Sequence, residues 1–243
     1  MNTYIAIDLE TTGLYPSRDR IIEIGAIKIK DGHVVDEFSS FVNPQMRVPE
    51  RIRELTGITS EMAMSGPVIE EIMPRLIEFC EDYSLLGHSI MFDYSFLKHK
   101  SVNMGVEFER SGIDTLAIAR QKLADLESRR LCALCEHYKI ERNQIHRATE
   151  DALAAHLVYQ KLKEEFGEAS STIFEARPLI YKVKKQGPIT NRQKDYLNDL
   201  LKYHKMEIDV ALDSLTKNEA SRLIDSIILK KGKMWRSNDE KQQ

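Results

Sequence analysis

The N-terminal part of the chain alternates between short apolar runs and polar turns, a pattern typical of β-strands. Residues 4–8 (YIAID) form a short apolar run, and residues 21–30 and 33–42 are rich in β-branched side chains. Asp31-Gly32 joins the last two stretches and favours a hairpin turn. We therefore expect the first 45 residues to form strands, two of them paired as a hairpin.

Helical periodicity follows, interrupted by one short strand. Residues 69–80 predict a helix with Pro74 near its first turn. Residues 84–88 (SLLGH) predict a short strand, and a helix is expected from about residue 92 to residue 103. Apolar positions at helical spacing recur in residues 116–122, 130–138 and 149–166. Strands followed by alternating strands and helices predict an α/β fold, a mixed sheet covered by helices.

The C-terminal part predicts a linker and a small helical module. Two segments, TNRQ at 190–193 and TKNE at 216–219, match the capping box, in which Thr and Gln or Glu satisfy the first free amides of a helix. An apolar stripe follows the second box. The predicted parts are a domain at 1–168, a linker at 169–187, a helix–extended–helix module at 188–231 and a disordered tail at 232–243.

The composition is that of an ordinary globular protein. Of the 243 residues, 42% are hydrophobic and 30% are charged, which is enough to bury a core. No apolar run approaches the length of a membrane span, and residues 1–4 lack the features of a signal peptide. Three cysteines, an odd number, favour a reducing compartment. We therefore expect a cytoplasmic protein with no membrane partner.

The net charge of −3 is unevenly distributed. From Arg177 onward there are 15 basic and 9 acidic residues, a balance of +6, whereas the preceding part has 20 basic and 29 acidic residues, a balance of −9. A basic C-terminal part indicates contact with nucleic acid, although solvated lysines give the same balance without such a partner.

Two carboxylates stand one residue apart at the end of the first apolar run. Side chains alternate along a strand, so Asp8 and Glu10 share one face and repel each other. A hard divalent cation with oxygen ligands, Mg²⁺ or Mn²⁺, would compensate this repulsion. The alternative is an exposed pair in a loop. A second such pair, Asp125 and Glu127, lies in a charged stretch read as helical and is interpreted as solvated surface.

Three segments place a histidine five residues before an aspartate, and the one in the small basic region, His204 with Asp209, is interpreted as coincidence. His88 ends the predicted short strand, and Asp93 falls in the first turn of the following helix. His146 lies in a predicted loop, and Asp151 lies at the start of a helix that Thr149 can cap. These two segments differ from the third in context, since each aspartate follows its histidine into the start of a helix.

The segments DLETTG, GHSIMFD and HRATED resemble, in order and spacing, the three motifs of the DEDDh (DnaQ-like) 3′→5′ exonuclease family. The resemblance covers residues 1 to about 166, and IIEIGAIKI is similar to the family's second strand. It implies a ribonuclease H-like fold with a five-stranded mixed sheet flanked by helices. The small helical module would be an addition to that fold.

The resemblance also implies the site. Asp8, Glu10, Asp93 and Asp151 would bind two divalent ions, Mg²⁺ or Mn²⁺, about 3.5–4 Å apart, and His146 would be the general base. Asp8 would bridge the two ions, and Asp93 would support the second. The expected substrate-binding residues are Thr11, Thr12, Gly13, Leu14, His88, Ser89 and Phe92.

Three of these assignments have alternatives. Residues 11–14 could form no more than a tight turn after the strand. Phe92 and Phe96 could stack on bases, but their spacing of four on a helix favours the core. Ser89 stands where the family commonly has Asn, which places substrate positioning in question there.

Two further features, a pair of cysteines and the C-terminal module, have more than one interpretation. Cys132 and Cys135 have zinc-like local spacing but no second Cys/His pair, so we expect them to face the core. The C-terminal module resembles small SAP-like nucleic-acid modules, while docking or dimerisation explains it equally well. Its basic residues are Lys217, Arg222, Lys230, Lys231, Lys233 and Arg236.

Together these features predict a metal-dependent 3′→5′ exonuclease that acts on single-stranded or frayed ends, with DNA favoured, and releases nucleoside 5′-monophosphates. The expected partners are DNA or RNA 3′ ends and a DNA polymerase or another nucleic-acid-processing complex. The alternatives are a nucleic-acid-binding or polymerase-tethered scaffold with a vestigial site, and an RNA-trimming exoribonuclease.

A histidine general base predicts the pH dependence of the reaction. Only neutral imidazole accepts a proton, so activity should fall as pH decreases through the pKa of His146. A pH–rate profile measures this directly. A profile that stays flat down to about pH 5 would argue against this base.

Overall fold

The computed structural model describes residues 3–141, 146–168 and 171–234. The chain divides into two compact units, which are Met1–Pro44 with Val48–Val183, and Gln45–Arg47 with Lys184–Gln243. The first unit contains a β-sheet with its flanking helices, and the second is mainly helical. Among the described residues, no helix is both long enough and apolar enough to span a membrane.

The sheet of the first unit is mixed and has six strands in the order β3-β2-β1-β4-β5-β6. The strands are β1 (Tyr4–Thr11), β2 (Ile21–Lys30), β3 (His33–Phe41), β4 (Leu85–Gly87), β5 (Ser111–Asp114) and β6 (Arg177–Pro178). Strand β4 is parallel to β1 and β5, and the other neighbours are antiparallel.

The expected number of five strands was therefore one too few. The additional strand, β6, contains two residues and pairs with Ser111 and Gly112. It lies in the segment interpreted as a linker, which also contains a short 3₁₀ turn at Ser171–Phe174. A two-residue strand carries too little side-chain pattern to be detected, because backbone pairing alone defines it.

The predicted hairpin is confirmed. Strands β2 and β3 pair from Glu23 and Phe41 to Lys30 and His33, and Asp31 and Gly32 have φ values of 51° and 84°. Positive φ at both positions is typical of the turn that matches strand twist. Strand β2 is buried almost throughout, while β3 forms an exposed edge.

Seven helices are described in the first unit. They are α1 (Glu50–Thr56), α2 (Ser60–Met64), α3 (Ile69–Cys80), α4 (Ile90–Met104), α5 (Thr115–Lys122), α6 (Leu131–Tyr138) and α7 (Ala148–Phe166). The five longest were expected, whereas α1 and α2 are too short for a clear periodicity. Pro74 is the sixth residue of α3 rather than part of its first turn. It is exposed, so the hydrogen bond it cannot donate is lost at the surface.

The two faces of the sheet are covered by different helices. Ile5, Ile7 and Leu9 belong to a core cluster with residues of α3 and α4. Tyr4 and Ala6 belong to a second cluster with residues of α5, α6 and α7. The alternation of β1 thus places its odd residues towards α3 and α4 and its even residues towards α7.

Two smaller expectations need correction. Cys135 is buried, but Cys132 is exposed, because it occupies the outer face of α6. Asp125 and Glu127 are exposed as expected, but they lie in the turn between α5 and α6 rather than in a helix.

The second unit contains two capped helices, α8 (Asn191–His204) and α9 (Lys217–Lys231). Both predicted capping boxes are present, at Thr190 with Gln193 and at Thr216 with Glu219. The connection between the helices includes a 3₁₀ turn at Leu212–Ser214, and the core of the unit includes Leu197 and Ile227. Of the predicted tail, residues 235–243 lie outside the described residues.

Helix α7 lies so close to β2 that only glycine fits at position 25. A Cβ atom at Gly25 would lie 2.1 Å from the backbone nitrogen of Thr149, whereas one at Gly112 would meet the flexible side chain of Leu179 at 2.7 Å. Gly25→Ala should therefore lower the free energy of unfolding by about 1–3 kcal/mol. Gly112→Ala, the matched control, should cost less. Equal urea midpoints for Gly25→Ala and the wild type would contradict this packing.

Candidate active site

Strand β1 carries two carboxylates on its α7-facing side. Asp8 and Glu10 continue the series of even residues begun by Tyr4 and Ala6, and both are half-buried. In the register with β2, Asp8 lies opposite Gly25 and Glu10 lies opposite Glu23. Two adjacent strands thus bring the carboxylates of Asp8, Glu10 and Glu23 to one edge of the sheet.

Asp93 reaches β1 from helix α4. The β1–β4 pairing ends at Ala6 and Leu86, so the later part of β1 has no neighbour on that side. The Leu9 amide there donates a hydrogen bond to Asp93 Oδ1 at 3.0 Å. Burial raises the pKa of Asp93 well above its usual range, opposed by this hydrogen bond and supported by the charge of Glu10.

Helix α7 adds His146 and Asp151. His146 precedes the helix and has a φ of 59°, in the left-handed region, and Asp151 lies in the first turn. Potential ligand atoms of Glu10, His146 and Asp151 all lie within 4.8 Å of one another. The structure therefore brings these three predicted residues together. In the group found among the described residues, Asp8 and Asp93 are not members.

The positive charge at this edge only partly compensates Glu10. The pKa of Glu10 is raised to about 7, chiefly by burial and also by the charge of Glu23, and Arg147 partly offsets this rise. A bound cation would favour the charged form of such a carboxyl group. The carboxylate oxygens of Glu10 and Asp151 are donors that suit Mg²⁺ or Mn²⁺.

A cavity of about 410 Å³ opens beside Glu10. Its lining includes the predicted residues Thr11, Thr12, Gly13, Leu14 and Phe92. The side chain of Leu14 is 69% exposed, so its apolar surface is open to the cavity. His88 and Ser89 are not among the residues that form this lining.

Hydrogen bonds between Thr12 and Arg20 close the loop that begins with the Thr-Thr-Gly-Leu segment. The Thr12 amide donates to the Arg20 carbonyl at 2.8 Å, and the Arg20 amide donates to Thr12 Oγ1 at 2.9 Å. A Cβ at Gly13 would lie 2.6 Å from the Asp19 carboxylate, which accepts from the Tyr15 amide at 2.7 Å. The tight turn and the cavity wall are thus the same structure.

The two phenylalanines of α4 have different environments. Phe96 is 1% exposed and belongs to the core, whereas Phe92 is half-buried and lines the cavity. Their ring centroids are 5.1 Å apart. The expectation of a core pair therefore applies to Phe96 only, because the helix presents Phe92 at the rim of the sheet.

His88 and Ser89 order the turn between β4 and α4. His88 Nδ1 lies 2.9 Å from Thr115 Oγ1, and burial lowers the pKa of His88 to about 4. The Ser89 amide donates to Asp114 Oδ1 at 2.9 Å, and Ser89 has a φ of 71°. Asn tolerates this left-handed conformation better than Ser does, which gives a backbone reason for the usual residue.

One local expectation was wrong, and two site residues were missed. Thr149 does not cap α7, because its hydroxyl donates to Ser39 Oγ at 3.1 Å. Glu23 instead accepts from the Ala148 amide at 3.1 Å and forms an ion pair with Arg147. The signal available in the sequence was a glutamate within the apolar run that begins β2. The cavity also includes residues that the motifs did not indicate, among them Tyr15, Arg18, Arg51 and Leu55.

Comparison with known proteins agrees with this geometry. A family model described as exonuclease (RNase_T) matches residues 5–159. The chain belongs to this exonuclease family. Its ribonuclease H-like α/β fold is thereby confirmed, apart from the number of strands.

Two curated relatives show how much of the chain the family covers. A PolC-type DNA polymerase III of Caldanaerobacter subterraneus subsp. tengcongensis is 40% identical over 165 residues, which are 68% of this chain and 12% of that protein. The DNA polymerase III subunit epsilon of Aquifex aeolicus is 34% identical over 164 residues, covering 67% of this chain and 81% of the subunit. Each relative thus matches about two thirds of this chain, and the chain spans only 12% of the PolC-type relative.

Solved structures show the same fold. E. coli exonuclease I in complex with a dT13 oligonucleotide has a TM-score of 0.65 and 20% identity, with 72% of this chain and 44% of that chain covered. Exonuclease X in complex with 5′ overhanging duplex DNA has a TM-score of 0.55 and 24% identity, with 70% and 97% covered. At these identities the likeness shows the fold alone.

The charge imbalance at Glu10 predicts how stability depends on pH and metal. Between pH 4.5 and about 7, folded Glu10 retains a proton that the unfolded chain releases, so the free energy of unfolding should fall as pH rises through this window. Added Mn²⁺ should stabilise the protein more at the upper end. Thermal unfolding in EDTA should show that the free energy of unfolding of Glu10→Gln falls less across this pH window than that of the wild type. Identical slopes for the variant and the wild type would contradict this origin.

Proposed function

We propose that the protein is a metal-dependent 3′→5′ exonuclease that removes nucleoside 5′-monophosphates from single-stranded or frayed DNA ends. The observation that carries the proposal is the convergence of Glu10, His146 and Asp151 within 4.8 Å at the edge of a nucleotide-sized cavity. Acids, a base and a binding pocket then adjoin one another, as hydrolysis at a chain end requires.

The metal ligands in this proposal are Asp8, Glu10, Asp93 and Asp151. The donor set of hard oxygens fits a divalent cation, Mg²⁺ or Mn²⁺. The raised pKa of Glu10 and Asp93 agrees with this, since burial disfavours both carboxylates and Arg147 offsets the effect at Glu10 only in part. Bound cations would neutralise the phosphodiester and lower the pKa of a water molecule. We propose two ions because the three motifs resemble those of the DEDDh family.

The remaining chemistry belongs to side chains of the chain itself. His146 accepts the proton of the attacking water, for which neutral imidazole is suited near pH 7. The cavity holds the terminal nucleotide, with Leu14 and Phe92 against the base and the Thr11–Thr12 loop near the sugar. His88 and Ser89 act on this site through the turn that carries Asp93, rather than by touching the nucleotide.

DNA is proposed as the substrate because the relatives named above are DNA polymerase III proteins, and two structural neighbours are recorded with DNA. Association with a DNA polymerase or another nucleic-acid-processing complex is proposed on the same basis. The C-terminal module is proposed to support such a contact with nucleic acid or with a partner. RNA trimming and a vestigial site remain as outcomes of the test.

The test is degradation of 5′-labelled single-stranded DNA and of RNA with the same sequence. The wild type should shorten DNA from the 3′ end in Mg²⁺ or Mn²⁺ and should stop in EDTA. Asp8→Ala should reduce the rate by roughly 10²-fold or more, since charge stabilisation by metals is worth several kcal/mol. Asp125→Ala, which alters the exposed Asp-x-Glu pair, should keep the wild-type rate.

Each outcome has a defined meaning. Faster cleavage of RNA would replace DNA by RNA in the proposal. Binding without cleavage under either metal would overturn the enzymatic proposal in favour of a scaffold. Equal losses in Asp8→Ala and Asp125→Ala would show that the cleavage does not arise from this site.

A further inference from the structure

A buried ion pair lies directly behind the candidate active site. Glu23 is 2% exposed and projects from β2 opposite Glu10. Its Oε1 accepts two hydrogen bonds from Arg147, from Nε at 3.0 Å and from Nη2 at 2.7 Å. Such a forked contact fixes the guanidinium in orientation as well as in distance.

The same carboxylate caps helix α7 from another strand. The N-cap residue, Arg147, makes no side-chain capping bond of its own. Glu23 Oε2 instead accepts from the Ala148 amide at 3.1 Å. A negative charge at this position satisfies a free amide and complements the helix dipole. Both oxygens of Glu23 thus accept hydrogen bonds from the start of α7, so we do not propose Glu23 as a metal ligand.

Three further contacts hold the start of α7 in place. The Arg147 guanidinium lies 5.2 Å from the centre of the Phe41 ring, and Thr149 donates to Ser39. The backbone of the helix meets Gly25 so closely that a Cβ there would collide with it. The first turn is therefore attached to both β2 and β3.

His146 and Asp151 are carried by this anchored segment. His146 directly precedes Arg147 in the chain. It has a left-handed φ of 59°, a conformation that a non-glycine residue keeps only when its surroundings impose it. Asp151 lies one turn after Arg147, whose carbonyl accepts the Asp151 amide at 3.0 Å. Movement of Arg147 would therefore displace the base and a carboxylate together.

We propose that Glu23 and Arg147 form a positioning pair that sets His146 and Asp151 in register with Glu10, although neither touches the substrate. The inference rests on the proposed exonuclease function. Arg147 has a second effect, because its charge neutralises Glu23, which would otherwise add another anion beside Glu10. The pair thus supplies geometry and charge balance at once.

The test compares kcat and KM in the full-length protein on 5′-labelled single-stranded DNA with Mn²⁺. Arg147→Met and Glu23→Gln should lower kcat by about 10–100-fold with KM changed by less than about threefold, since a displacement of about 1 Å is enough to cost 10² in rate. Arg147→Lys keeps the charge and should recover part of kcat. The double variant Glu23→Gln/Arg147→Met should be little worse than either single variant, because the pair acts as a unit.

Lys28→Met is the matched control. Lys28 also lies on β2, its side chain is 10% exposed, and it forms an ion pair with Glu81 at 2.8 Å. Its loss should reduce thermal stability to a similar degree without changing kcat. All assays are run well below the melting temperature of each variant, with folding checked by circular dichroism. If Arg147→Met is unfolded, Glu23→Gln and Arg147→Lys provide the comparison.

The outcomes separate the positioning role from the function itself. An inactive wild type would refute the exonuclease proposal without reference to this pair. An active wild type, with kcat in folded Glu23→Gln and Arg147→Lys equal to that of Lys28→Met, would overturn the positioning role. A rise in KM with unchanged kcat would also overturn it, because the pair would then affect substrate binding rather than the reacting groups.

Discussion

Repulsion among carboxylates at one edge of the sheet is the constraint on which the rest of the site depends. The alternation of β1 places Asp8 and Glu10 on one face, and the β1–β2 register places Glu23 beside them. Removing such groups from water without compensation is unfavourable, and the raised pKa of Glu10 expresses that penalty. The surrounding elements either neutralise these charges or leave them available to a cation.

The structure treats the acids differently. Glu23 is neutralised internally by Arg147 and the start of α7. Asp93 receives one amide hydrogen bond from Leu9. Glu10 has like charge on one side and only a partial offset from Arg147, and it faces His146 and Asp151. Compensation is therefore uneven, and Glu10 lies where a cavity of about 410 Å³ begins.

Local patterns in the sequence predicted most of the fold. The hairpin at Asp31-Gly32 and both capping boxes follow from short-range interactions, which is why they were predictable. Strand β6 and helices α1 and α2 were missed because they are too short to show a periodicity. Their positions depend on pairing and packing with distant parts of the chain.

The motifs also named most of the candidate site, but not what holds it. Glu10, His146 and Asp151 could be named from two separated motifs, DLETTG and HRATED. Thr149, in contrast, was expected to cap α7, and its place is taken by Glu23, which is 125 residues away from Ala148 in sequence. A capping contact between distant residues leaves no local pattern. For a related reason, helical spacing alone did not separate Phe92, which lines the cavity, from the buried Phe96, and it did not show that Cys132 is exposed.

The central claim is that cations complete this group of acids, and calorimetric titration with Mn²⁺ at pH 7.5 tests it most directly. We expect saturable binding to the wild type, with release of protons from the acids whose pKa is raised. Binding should be strongly weakened in Glu10→Gln and Asp151→Asn but unchanged in Asp125→Asn. Absence of saturable binding to the wild type, or equal binding to all four proteins, would contradict the account.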